Sequence, residues 1–150
     1  MRMRTLVLLP LLLAPLACGK KEAPQPPPPA PMPAPAPVVF AVSSVTLGKA
    51  LGSDKKIVEA TSTFGVKDTI YASVETVGTA DKARLEAKWT FTGSKGPVSV
   101  NDNSMELVNL AGPSVNEFHI TKKTDWPKGA YQVEILLNGA SAMKKDFTVQ

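Results

Sequence analysis

Glu117 and His119 stand two residues apart in Asn116-Glu117-Phe118-His119-Ile120, where alternating polar and apolar residues put both on one face of a β-strand. A carboxylate and an imidazole so placed could hold a metal ion or pass a proton. His119 is the only histidine, however, and a zinc site needs three or four ligands. The pair therefore reads as an exposed strand feature, and no metal is expected. Any Ser-His-Asp set would need the same histidine, yet no Gly-x-Ser-x-Gly elbow occurs and Ser94 sits in the turn Gly93-Ser94-Lys95-Gly96-Pro97. Asn101-Asp102-Asn103 lacks the ladder of oxygen ligands that a calcium loop requires and reads as a second turn. No spacing among the acidic residues singles out a general acid and base. The expectation is a chain with no catalytic residue, no metal and no cofactor.

The remaining candidates are aromatic. Trp126 could form a platform with Tyr71 for a sugar or a partner; alternatively it caps the open end of a core, anchored by Pro127. Lys122-Lys123 and Lys144-Lys145 flank it in sequence and offer a basic rim. The whole chain carries a formal charge of +4 over 150 residues. Arg2, Arg4, Lys20 and Lys21 lie near the N-terminus, leaving 13 of the 17 basic and 12 of the 13 acidic residues from Val38 onward. That near balance provides no footprint for a phosphate backbone, so no nucleic-acid partner is expected.

Residues 1–17 read as a secretory leader: Arg2 and Arg4 form a basic start, Leu6 to Leu16 an apolar run, and Ala17 a small residue before Cys18. An apolar run of about 11 residues, interrupted by Pro10 and Pro15, is shorter than the roughly 20 that span a bilayer. Leu16-Ala17-Cys18-Gly19 resembles the lipobox of bacterial lipoproteins, with Pro15 where that family usually has an aliphatic residue. The resemblance implies that Cys18, the only cysteine, is acylated and becomes the mature N-terminus. Such lipids supply the two anchoring signals that stable membrane attachment needs. Gly19 rather than Asp after the cysteine implies, by the sorting rule of enteric-type lipoproteins, an outer-membrane anchor with the remainder in the periplasm. Residues 18–37 continue as a linker, with nine prolines between Pro24 and Pro37. Proline fixes φ and donates no hydrogen bond, so a disordered, polyproline-like spacer of roughly 40 Å is expected.

The elements that must position any site follow from residue 38. Tyr131, Val133, Ile135 and Leu137 alternate with polar residues apart from Leu136, and Asn138-Gly139 is the residue pair of a type I′ hairpin turn. Phe147 and Val149 end the return strand. Leu85, Ala87, Trp89 and Phe91 alternate with Arg84, Glu86, Lys88 and Thr90; the segment 81–88 is also rich in helix formers, but a two-residue period would scatter its apolar groups around a helix. Further strands are expected over Val38–Leu47, Ile57–Phe64, Thr69–Val77, Val98–Val100, Met105–Leu110 and 116–121. Trp89 is the expected centre of the core, over Tyr131, Ile135 and Phe118.

Seven or eight short strands with turn signals between them predict an all-β, antiparallel two-sheet sandwich over residues 38–150, with a barrel as the alternative. The 113 residues involved can bury roughly 65% of their unfolded surface. Trp126-Pro127-x-Gly129-x-Tyr131-x-Val133 resembles the start of the penultimate strand in immunoglobulin-like and fibronectin type III-like domains of bacterial envelope proteins. That resemblance, which covers Asp125 to Val149, implies a non-catalytic module that binds or scaffolds another envelope protein. Polysaccharide or peptidoglycan binding through Trp126 and Tyr71 is the competing expectation.

Overall fold

The computed structural model describes residues 39–150. The leader, Cys18 and the linker to Pro37 lie outside the described residues. Eight strands form two sheets: β1 (Ala41–Gly48), β2 (Thr63–Phe64), β3 (Ile70–Val77), β4 (Thr79–Gly93), β5 (Gly96–Ala111), β6 (Ser114–Ile120), β7 (Gly129–Leu137) and β8 (Ala140–Val149). One sheet has the order β1-β3-β6 and the other β2-β8-β7-β4-β5. All pairings are antiparallel except β2 against β8.

Alternation built this arrangement. Leu85, Ala87 and Trp89 on β4, with Val133 and Ile135 on β7, turn inward and are fully buried. They meet Ile70, Ala72 and Val74 of β3 together with Phe118 and Ile120 of β6 in one core. Trp89 lies at 0% exposure, in the same core as Tyr131, Ile135 and Phe118, with its ring edge-on to Phe147 at 6.0 Å. The β7–β8 turn takes positive φ at both Asn138 (52°) and Gly139 (82°), as a type I′ turn requires. Asn138 also fixes the turn to β4: its side-chain oxygen accepts from the Arg84 amide at 2.8 Å, and its own amide donates to the Arg84 carbonyl at 2.8 Å.

Three expectations are corrected. Asn101-Asp102-Asn103 is not a turn; it lies within β5, a strand of 16 residues that absorbs both Val98–Val100 and Met105–Leu110. The 15-residue β4 provides a continuous template, with Lys88 opposite Asp102 and Ala87 opposite Asn103, and a bulge beside Trp89 takes up the extra residue. Of Ile57–Phe64 only Thr63–Phe64 is strand; the remainder folds back through single bridges, Ala60 to Gly48 at the end of β1 and Ile57 to Leu51 just beyond it. A Cβ at Gly48 would lie 2.7 Å from the Glu59 carbonyl oxygen, so glycine is what allows that close approach. The first strand opens at Ala41, whereas Val39 makes an isolated bridge to Thr79.

The two ends of the sandwich differ. At one end the turns are short: Gly78 between β3 and β4, Gly112-Pro113 between β5 and β6, and Asn138-Gly139 between β7 and β8. There the Gly112 amide donates to the Gly78 carbonyl at 2.9 Å. The longer connections, 49–62, 65–69 and 121–128, gather at the other end with the β4–β5 turn.

Candidate functional site

The long-loop end carries an aromatic cluster of Phe91, Trp126, Tyr131 and Phe147. Trp126 leaves the 121–128 loop and is shut into the core at 5% exposure. Its indole Nε1 donates to the Asp68 carbonyl at 2.9 Å, and its amide donates to the Val66 carbonyl at 2.8 Å. The loops before β3 and β7 are thereby joined through one residue. The ring meets Tyr131 edge-on at 6.3 Å. Tyr131 in turn stacks on Phe147 at 5.3 Å and contacts Phe91 at 4.8 Å.

Tyr131 is buried too, and its hydroxyl turns back to donate to the Pro127 carbonyl at 2.7 Å. Burial pushes its phenol pKa up. A tyrosine near the start of β7, bonded to backbone four residues upstream, is the tyrosine corner of immunoglobulin-like sandwiches. The sequence reading placed Tyr131 on an inward face and missed this second role. The signal was present in Pro127 four residues earlier and Gly129 between them. Gly129 adopts φ 145°, and a Cβ there would come within 2.9 Å of the Phe91 ring, so strand start and corner are set together.

Trp126 and Tyr71 do not form a platform. Tyr71 lies on the outer face of the three-stranded sheet, opposite His119 in register and 5.4 Å from its ring. The strand period sends Ile70 and Ala72 inward and leaves Tyr71 outside, while Trp126 turns into the core. Glu117 and His119 do share that outer face, with Nδ1 3.3 Å from the carboxylate. Among the described residues no third ligand joins them to make a metal site.

A groove of about 320 Å3 opens at this end, and no residue pattern in the chain announces it. Phe91, Val98, Val100, Trp126, Pro127 and Tyr131 form its apolar wall; Ser99, Asn101, Thr121 and Lys122 form its polar lip. Val98 is 57% exposed, and Lys122 holds its ammonium 5.8 Å from the Trp126 ring centroid. The groove runs beside β5, the last strand of its sheet, whose outer edge has no partner strand among the described residues. A second hollow of about 280 Å3, on the outer face of the five-stranded sheet, is polar; two of its side chains, Gln132 and Asp146, bond each other at 2.7 Å.

Asp68 and Glu75 are engaged in structure. Lys49 foremost, with the Gly65 amide, holds the Asp68 carboxyl below its usual range. Lys56 and then the Ser44 hydroxyl do the same for Glu75.

A buried tryptophan on β4, a tyrosine corner at β7, a two-sheet core and a short β2 lying parallel to β8 define the class: an immunoglobulin-like sandwich. Solved structures share the fold. An immunoglobulin-like protein from Pseudomonas aeruginosa is 14% identical with a TM-score of 0.52, over 77% of this chain and 99% of that one. A β-glucosidase from Listeria innocua, crystallised with laminaribiose, is 10% identical with a TM-score of 0.53, over 75% of this chain and 16% of that one. The alkylpurine DNA glycosylase AlkC of Pseudomonas fluorescens is 15% identical with a TM-score of 0.50, over 74% of this chain and 30% of that one. This chain thus spans under a third of either enzyme's length. Compared by sequence, it matches no protein-family model and no curated protein.

Proposed function

We propose that this chain is a non-catalytic module, held at the outer membrane by a lipid on Cys18, that binds or scaffolds another envelope protein in the periplasm. The contact surface is the long-loop end of the sandwich. One observation carries the reading: the described chain begins at the opposite end, where Val39 bridges Thr79, the first residue of β4. Phe91, which lines the groove, lies 12 residues further along the same strand. At about 3.3 Å per residue the groove is about 40 Å from that starting point. With a lipid tether and a proline-rich spacer upstream of Val39, the groove would stand at the untethered end of the domain, open to a partner. Polysaccharide binding through Trp126 and Tyr71 has no such support, because the two rings face different surroundings.

In-cell cross-linking and recovery of the tagged full-length protein from native envelopes tests this reading, with Cys18→Ala alongside. A reproducible protein partner that is lost with the anchor is the expected outcome. Recovery of cell-wall fragments alone, or of the same partner regardless of Cys18, would count against a tethered protein-binding role.

A further inference from the structure

The groove and the charges around it narrow the partner. Eight basic side chains among the described residues have no carboxylate within ion-pair distance, and six of them stand on loops at the groove end: Lys55, Lys67, Lys95, Lys122, Lys123 and Lys128. Three carboxylates outside any ion pair, Asp54, Glu59 and Asp125, share that end. Asp125 is the only one of these three within the 121–128 loop, which carries Lys122, Lys123 and Lys128, and Lys95 stands in the β4–β5 turn, three residues before Val98. The basic side chains of the sheet faces are mostly neutralised, as in Lys82–Glu106, Arg84–Glu86 and Lys144–Glu134. Unpaired lysines therefore outnumber unpaired carboxylates, six to three, at the end of the sandwich that holds the apolar hollow, and Lys122 lines it.

We infer that the groove takes an extended acidic segment of a protein partner, one apolar side chain entering between Phe91, Val98 and Trp126 while its flanking carboxylates meet Lys95, Lys122, Lys123 and Lys128. This rests on the protein-binding reading above and names the chemistry of the partner. The open edge of β5 beside the groove offers backbone groups to an extended chain, the arrangement of strand addition with a side-chain pocket. Clustered like charge favours an oppositely charged partner and speeds its encounter.

Two other occupants fit less well. A second copy pairing β5 to β5 antiparallel about Ser104 would set Asp102 against Glu106, like charges facing each other. The chain's own proline-rich stretch, Pro24 to Pro37, contains no acidic residue to answer the lysines.

The test is a tryptophan-fluorescence titration of the full chain with the peptide Asp-Glu-Leu-Phe-Glu-Asp, its counterpart with lysine at every acidic position, and hyaluronate as an anionic glycan. The acidic peptide should bind, at least tenfold more weakly in 0.5 M salt than in roughly 0.05 M salt, because exposed charges are screened. Val98→Asp and Lys122→Glu should each weaken it at least tenfold. Val39→Asp, at an exposed valine beside Thr79 at the opposite end of the sandwich, should leave it unchanged. Equal binding of the lysine peptide, tighter binding of hyaluronate, indifference to Val98→Asp, or no binding at millimolar peptide would each overturn the inference. Val98→Asp separates this failure from that of the broader reading: if the native envelope partner is still recovered with that variant, the module binds protein elsewhere and only the groove assignment falls.

Discussion

Replacing Trp126 asks directly whether its ring is structure or binding surface. The side chain is 5% exposed, packs edge-on against Tyr131, and spends its one polar atom on the Asp68 carbonyl. Trp126→Phe keeps an aromatic body and deletes that hydrogen bond, worth about 1 kcal/mol net; the smaller ring leaves part of the site unfilled, for a total of about 1–2.5 kcal/mol. Trp126→Ala removes the packing as well, and Trp-to-Ala changes in cores cost about 3–5 kcal/mol. Urea denaturation followed by far-ultraviolet circular dichroism reads these losses without depending on the deleted fluorophore. With a slope of about 1–3 kcal/mol per M, the phenylalanine variant should unfold about 0.3–2.5 M earlier. The alanine variant should lose a large share of the about 5–15 kcal/mol that stabilises a domain. A midpoint for Trp126→Ala within about 0.2 M of the parent would show that the ring contributes no core energy, and the placement argued above would be wrong.

Other outcomes follow from the same contacts. Tyr131→Phe, which removes the 2.7 Å bond to Pro127 and little volume, should cost about 0.5–1.5 kcal/mol by the same urea midpoint; no loss would mean that the corner bond is not stabilising. Gly129→Ala should cost more than an exposed glycine exchange, since φ 145° and the Phe91 ring at 2.9 Å both oppose a Cβ; a melting temperature unchanged or raised would refute that. Asn138→Ala should cost about 1–2 kcal/mol, by loss of the bond from the Arg84 amide and by strain at φ 52°, with Asn138→Gly recovering part of it in thermal melts. The carboxyls of Asp68, Glu75, Glu106 and Glu134 are held below their usual range, by Lys49, Lys56 and Lys82 foremost for the first three and by the Ser141 hydroxyl for Glu134. A pKa lowered by folding stabilises above the unfolded value and is lost as protons bind, so stability should fall as pH drops through the carboxylate range. Asp68→Asn should flatten that slope, and an unchanged pH profile would exclude Asp68 from it.

The two-residue period made β4 and β7 legible, because Ala83 to Trp89 and Tyr131 to Ile135 bury every second residue and any other geometry would expose Trp89 or Ile135. Asn138-Gly139 was equally plain, being one of the few residue pairs that accept two positive φ angles. The continuity of β5 was not visible: Asn101-Asp102-Asn103 has the local composition of a turn, and only pairing with Lys88 and Ala87 across the sheet keeps it extended. Ile57 to Phe64 failed in the opposite direction, since its β-branched residues satisfy strand propensity while the close approach at Gly48 allows only single bridges. The groove was hidden for a related reason. Phe91, Val98 and Trp126 come from separate elements, and none by its neighbours in sequence announces an exposed hollow. Trp126 itself was recognised as notable, but a lone tryptophan beside proline suits a core cap and a binding surface alike until its indole nitrogen is seen to be engaged.

The placement of the ends gives the domain a mechanical direction. The described chain starts beside Thr79 while the groove lies at the far end of the strands, so a pull between residue 39 and the groove would run along the strand axes. β1 meets β3 over seven residue pairs, and antiparallel hydrogen bonds lie across the strands. Such a load would strain those bonds together, in shear, and not peel them one at a time. A single-molecule pull between residues 39 and 122 should thus require more force than one applied across β1 at its Gly48–Tyr71 end, and equal forces would rule the idea out.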